Sequence, residues 1–275
     1  MSLRDVLRIG ASSNGGSKEY LVSGIYDDYL RNLNGKFYNW NSETSKRNSG
    51  GIHPSGILSC LRAQQYGWLG AQKDFYLTPK MARTFSIGNY LHRMIQVDLK
   101  RSGLLLSYEY PVFHNKYKLL GHADGLLRWK DKYVSLLEIK TINPERFKQL
   151  YTPSVEYVYQ ANTYLLALEF MRRLAKKTAV IDPLYGLLKI LAEVTNKIDQ
   201  VNFFYINKGT SEIKEFVVKK DPKVFEEIKS NAITVVNANS EEKLLPRVAK
   251  SPSVAPCYNC SYRNTCWDKF SYKNV

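Results

Sequence analysis

The stretch KLLGHADGLLRWK (118–130), followed by KYVSLLEIKT (132–141), decides how this chain reads. Both segments have strand composition, and they turn on each other about Trp129 to Lys132. Within Leu136-Leu137-Glu138-Ile139-Lys140 a period of two puts Glu138 and Lys140 on one face and Leu137 and Ile139 on the other. An acid and a base therefore share a surface. Asp124 lies on the preceding strand between Gly121 and Gly125, glycines that let partner backbone or a ligand come close. Two carboxylates on paired strands make an oxygen-rich pocket of the kind that holds Mg2+ or Mn2+. The plain alternative is an ordinary Glu-Lys pair on an exposed strand.

Outward from this hairpin, LLLSYEYPVF (104–113) reads as a third strand. Helices are expected over residues 55–70 and 84–101 before it, and over 154–177 and 185–197 after it. A second hairpin, VNFFYINK (201–208) and EIKEFVVKK (212–220), turns at Gly209-Thr210. Asp221-Pro222 then opens a helix to about Ile233, with aspartate as N-cap and proline in the first turn. Interleaved strands and helices give an α/β chain. Residues 1–50 read as an arm with at most one short helix near Tyr20 to Leu33, residues 51–240 as the core, and residues 241–275 as a cysteine-rich segment packing with the Cys60 region.

Two helices carry further polar candidates. Around residue 90, Ile87, Tyr90, Leu91, Met94 and Ile95 form an apolar stripe, and His92 projects off it, so it is not a natural core histidine. Gly88, one turn earlier, costs helix stability unless something must approach there. Gln160 and Tyr164 are four apart and share a helix face. Taken alone, that pair is a surface glutamine beside a partly buried tyrosine.

The 275 residues include 40 Lys and Arg against 25 Asp and Glu, a formal net charge of +15, which points to a polyanionic partner. Charge alone does not separate nucleic acid from an anionic membrane. Twenty tyrosines and four tryptophans stand among the cations, a mixture suited to base stacking plus phosphate contact. No apolar run is long enough to span a bilayer, and Met1 to Ser17 lacks the apolar stretch of a secretory signal. A soluble, cytoplasmic protein with no membrane partner is expected.

Four cysteines occur, at 60, 257, 260 and 266. In a reducing compartment a disulfide framework is not expected, which leaves a metal site or inert thiols. Four soft ligands suit tetrahedral Zn2+ or an iron-sulfur cluster, and spacing does not choose between them.

Taken together, Gly88-x3-His92, Asp124, Glu138-x-Lys140 and Gln160-x3-Tyr164 resemble, in order, the motifs of RecB-like nucleases of the PD-(D/E)xK superfamily, over about residues 55–165. The proline that often precedes the first acid is absent, Ala123 standing there. The resemblance implies a restriction-endonuclease-like core, a central mixed sheet flanked by helices. It implies a cation bound by His92, Asp124, Glu138 and the carbonyl of Ile139, with Lys140 catalytic and Gln160 and Tyr164 contacting DNA or positioning the site. One cysteine before the core and three after it is similar to the iron-sulfur subgroup, which includes AddB-type subunits and the CRISPR-associated RecB-like exonucleases. That implies a [4Fe-4S] cluster on Cys60, Cys257, Cys260 and Cys266, with Zn2+ as the alternative. The absence of G-x4-GK[ST] and the length of 275 residues point to a stand-alone nuclease module, of host or viral origin in a microbial cell. The expected activity is metal-dependent cleavage of DNA, by an exonuclease on single strands or ends. The alternatives are an endonuclease on the same fold, or a DNA-binding or end-measuring subunit for an integrase or helicase partner.

Overall fold

The computed structural model describes residues 50–58, 60–74, 78–129, 132–178 and 184–267. The expected arm therefore lies outside the described residues, apart from Gly50. The chain divides into two compact units, residues 1–47 with 75–90 and residues 48–74 with 91–275. Of the first unit, the described part is residues 78–90, nearly all in one helix. The second unit holds the sheet and every candidate residue except Gly88.

Five strands form one mixed sheet in chain order: β1 (Leu105–His114), β2 (Leu119–Arg128), β3 (Val134–Ile142), β4 (Gln200–Asn207) and β5 (Ile213–Lys219). All neighbours are antiparallel except β3 and β4, which run parallel. A parallel neighbour needs a crossover. Three helices supply it: α3 (Pro144–Lys148), α4 (Val155–Ala175) and α5 (Tyr185–Ala192). Before the sheet come α1 (Leu61–Trp68) and α2 (Pro79–Arg101), and after it α6 (Pro222–Ser240) and α7 (Arg263–Trp267).

The helix α4 is apolar nearly all round, with every residue from Ala161 to Leu168 buried, so it lies in the interior rather than on a surface. It packs against β1, β2, α5 and α6. Together with Phe203, Tyr205, Phe225 and Ile228 it makes the main core. The opposite face of the sheet carries a smaller cluster, Leu105, Leu127, Leu137, Ile139 and Ile206, covered by Ile95 and Leu99 from the C-terminal half of α2. The alternation expected in β3 is thus resolved into two cores, with Leu136 on the α4 side and Leu137 and Ile139 on the α2 side.

The helix α6 opens as expected: the Asp221 carboxylate accepts from the N–H groups of Lys223 at 2.8 Å and Val224 at 3.4 Å, with Pro222 in the first turn. It runs on to Ser240, because burial of Val235 and Ala238 outweighs the weak helix propensity of the Asn and Ser residues at its end. The expected first helix is shorter than its pattern, a 3-10 turn at Pro54–Gly56 preceding α1. The apolar stripe of α2 is covered only in part. Ile95 is buried, whereas Ile87, Tyr90 and Met94 are 51%, 51% and 48% exposed. No helix among the described residues is long and apolar enough to cross a membrane.

Candidate active site

The ladder between β2 and β3 runs from Arg128 opposite Val134 to Gly125 opposite Leu137, and there it stops. The next residues are Asp124 and Glu138. Where the strands part, the Ile139 N–H donates instead to Asp124 Oδ2 at 2.6 Å. The fork thus replaces a backbone acceptor with a carboxylate and fixes one Asp124 oxygen. The other, Oδ1, lies 3.8 Å from His92 Nδ1, which α2 brings from the far side.

From the α4 side comes a relay of side chains. Glu138, 3% exposed, accepts from Lys140 Nζ at 2.7 Å. The same ammonium donates to Gln160 Oε1 at 3.3 Å and stands 4.1 Å from the centre of the Tyr157 ring. Gln160 Nε2 in turn donates to the Tyr164 hydroxyl at 3.1 Å. Tyr164 is 5% exposed, so its ring packs in the core and acts on the site through Gln160. Gly121 makes room for it: a Cβ there would stand 3.2 Å from Tyr164 Cε1 and 2.9 Å from Pro54 Cδ. At Gly125 a Cβ would meet the Ser107 carbonyl at 2.9 Å, so this glycine admits the neighbouring strand.

Burial decides the protonation of these groups. It pushes the Asp124 carboxyl up to about 7, against the Ile139 N–H and the Lys140 charge. Glu138 is likewise raised to about 7 by burial and then by the Asp124 charge, with Lys140 opposing. Burial works to lower the Lys140 pKa, but the adjoining Glu138 carboxylate outweighs it and the ammonium is retained. The pKa of His92 is lowered by burial and by Lys140, so its imidazole is neutral near pH 7 and free to be a ligand.

The donor set suits a hard divalent cation: two carboxylates and a neutral imidazole around one fork, next to the wholly buried Ile139. It is not a closed coordination shell, since no three His, Cys, Asp or Glu groups among the described residues converge as a bound ion requires. Glu138 is turned to Lys140 instead.

Sequence reasoning passed over two residues at the fork, Gln96 and Glu109. Gln96 Nε2 donates to Glu109 Oε1 at 2.9 Å and to the Asp124 carbonyl at 2.9 Å. The spacing of Gln96 from His92, four residues along α2, was a signal that both share a face. For Glu109 the chain offered none, because the residue becomes significant only through the strand opposite.

The four cysteines meet at a second place. Cys60, at the N-cap of α1, and Cys257, Cys260 and Cys266 line one small cavity with Tyr66 and Tyr262. All four are free thiols, and Cys257 and Cys266 are buried. The Cys260 pKa is pushed up by burial against the Tyr262 N–H, which donates to its sulfur at 3.4 Å, and the other three sulfurs add to the rise. A single zinc ion would need four sulfurs about 2.3 Å from one point. The described residues hold no such group.

No family model matches the chain, and none of the curated proteins compared matches it. Among solved structures it is similar to LHK-Exo, an alkaline exonuclease from Laribacter hongkongensis, at 14% identity and a TM-score of 0.48, covering 73% of this chain and 93% of that one. The complex of LHK-Exo with dAMP is matched at 14% identity and a TM-score of 0.47, covering 70% and 89%. SSO0001 is matched at 14% identity and a TM-score of 0.48, covering 90% and 97%. Likeness of that degree carries no inference about residues or chemistry.

Proposed function

We propose that the chain is a metal-dependent DNA nuclease of the PD-(D/E)xK kind, working from ends or on single strands. The observation that carries this is the fork: two carboxylates, Glu138 buried and Asp124 partly buried, one ammonium bonded to the first of these, and an imidazole facing the second. Burying two like charges in one pocket is costly unless a cation joins them. Asp124 and Glu138 would hold that cation, with His92 and the Ile139 carbonyl completing the set. When bound, it would supply positive charge for the phosphate and a water of lowered pKa.

The chain's own groups do the rest. The Ile139 N–H orients Asp124, leaving Oδ1 free for the ion. Lys140 presents a fixed positive charge where negative charge grows on the phosphate, and Gln160 and Tyr157 aim it. Tyr164 holds Gln160. The excess of cations over anions, +15 overall, favours a polyanionic substrate along an extended path.

The cysteine corner is read as a [4Fe-4S] site. Its support is that all four cysteines line one cavity, and four soft ligands suit an iron-sulfur cluster, with tetrahedral Zn2+ as the alternative. Such a cluster would staple residues 60 and 257–266 together beside the nuclease core, as in the iron-sulfur subgroup that includes the CRISPR-associated exonucleases. An integrase or helicase partner belongs to the same reading.

The test is digestion of an end-labelled single strand, a blunt duplex and a covalently closed circle, with and without Mn2+. Mn2+-dependent loss of the single strand or of ends is expected. Rapid cutting of the closed circle with the single strand untouched would make the protein an endonuclease. Binding without cutting under every condition would make it a DNA-holding subunit.

A further inference from the structure

Glu109 has a backbone out of keeping with its strand. Its φ is +45°, in the left-handed region that residues with a Cβ avoid and that strand neighbours do not use. The register of β1 on β2 steps from Tyr108 opposite Gly125 to Tyr110 opposite Ala123, so Glu109 faces Asp124 across the strands.

Gln96 holds it there. This side chain is 6% exposed, and its one amide nitrogen donates to Glu109 Oε1 and to the Asp124 carbonyl, both at 2.9 Å. That amide ties α2, β1 and β2 at the point where β2 leaves β3. His92 stands one turn before Gln96 on the same helix face. The Glu109 charge acts on His92, Asp124 and Tyr164 alike, which places the carboxylate within electrostatic reach of all three. Among the described residues, Glu109 has no cationic hydrogen-bond partner. Its hydrogen-bond partner is a neutral amide, for which a glutamine oxygen would serve equally well. A strained backbone and a buried clamp thus deliver a carboxylate to a pocket that already has two.

We propose that Glu109, carried by Gln96, is a third carboxylate of the active site, an acceptor for the hydration shell of the divalent cation that Asp124 and Glu138 would hold. This rests on the metal-dependent reading above. Hard divalent cations keep several waters in such sites, so acceptors for those waters belong to the site as much as its direct ligands do.

The experiment is Mn2+ binding to the DNA-free full chain by calorimetry, beside the Mn2+ concentration that half-activates digestion of a labelled single strand. Glu109→Gln should weaken both by roughly tenfold to a hundredfold, the range usual for outer partners of metal sites. Gln96→Leu should shift both in the same direction by less. Glu109→Gly should lose the same Mn2+ affinity yet melt no lower than the wild type, because glycine takes a φ of +45° without strain. Wild-type Mn2+ affinity in Glu109→Gln, or a Glu109→Gly variant that loses affinity only because it has unfolded, would overturn the proposal. Asp124→Ala separates the two levels. If it abolishes Mn2+ binding while Glu109→Gln binds normally, the role of Glu109 alone fails. If the wild type takes up no Mn2+, the metal-dependent reading fails with it.

Discussion

At the fork, Glu138 is 3% exposed beside Asp124, and the Lys140 ammonium is bonded to Glu138. At the cysteine corner many of the polar groups are matched by bonds between distant parts of the chain. Gln65 accepts from the Leu245 N–H at 2.9 Å and donates to the Lys243 carbonyl at 2.7 Å, while Arg62 donates to the Leu245 carbonyl. Asp74 accepts from the N–H groups of Asn264 at 2.6 Å and Thr265 at 3.1 Å, capping α7 from 190 residues away. Arg247 reaches the Cys266 carbonyl at 2.6 Å. The difference is instructive. The fork gathers carboxylates whose charge a cation would offset, whereas the corner is closed largely by neutral and charge-assisted bonds around its four cysteines.

The largest effect expected from breaking this contrast is on catalysis. Asp124→Ala or Glu138→Ala should lower the cleavage rate by roughly three orders of magnitude, about 4 kcal/mol, because cation-borne charge stabilisation is lost. DNA affinity should be largely kept, since phosphate contact is spread over many Lys and Arg residues. Cleavage as fast as the wild type in both variants would refute the assignment. At the other region, anaerobically purified protein should be brown. Cys60→Ala should lose the colour and melt lower, and Asp124→Ala should keep it. Colourless protein with one zinc per chain would assign the corner to zinc.

Stability against pH sharpens the comparison. Both fork carboxylates have folded pKa values raised to about 7, above the ordinary carboxylate range. The folded protein then holds more protons than the unfolded chain between the two values. Their contribution is full at low pH and is lost as pH rises through about 7. In EDTA the melting temperature should carry this downward component toward neutral pH, and Asp124→Asn or added Mn2+ should reduce it. A pH profile identical in wild type and Asp124→Asn would argue against a raised Asp124 pKa in the folded protein. The smallest effect is at the corner, where Asp74→Ala removes a helix cap and should cost about 1–2 kcal/mol by denaturant melting. Cleavage by the folded variant should be unchanged, since Asp74 lies in the scaffold of the other region.

Local pattern carried much of the fold. The period of two in β2 and β3 sorted Leu137 and Ile139 from Glu138, and Asp221-Pro222 announced the start of α6. Pattern misled where coverage mattered: periodicity says which residues share a helix face, not that anything lies over it, and Ile87 and Met94 are half-exposed. The five-residue α3, capped by Asn143, went unseen because so short a helix has no period. For Tyr164, spacing showed the shared face with Gln160 and left open whether the ring meets DNA. Only its 5% exposure and the space left by Gly121 show that it packs inside.

By itself, then, the sequence determined the strands, their faces and the acid-base pair on β3, because alternation and capping depend on neighbours within a few residues. Tertiary structure alone decided that β2 and β3 part between Gly125 and Asp124, so that a backbone N–H turns to a carboxylate. It alone brought Gln96 and Glu109 to that fork and gathered Cys60 with three cysteines almost two hundred residues on around one cavity. Those are contacts between distant parts of the chain, set by how helices and strands pack, and no local period encodes them.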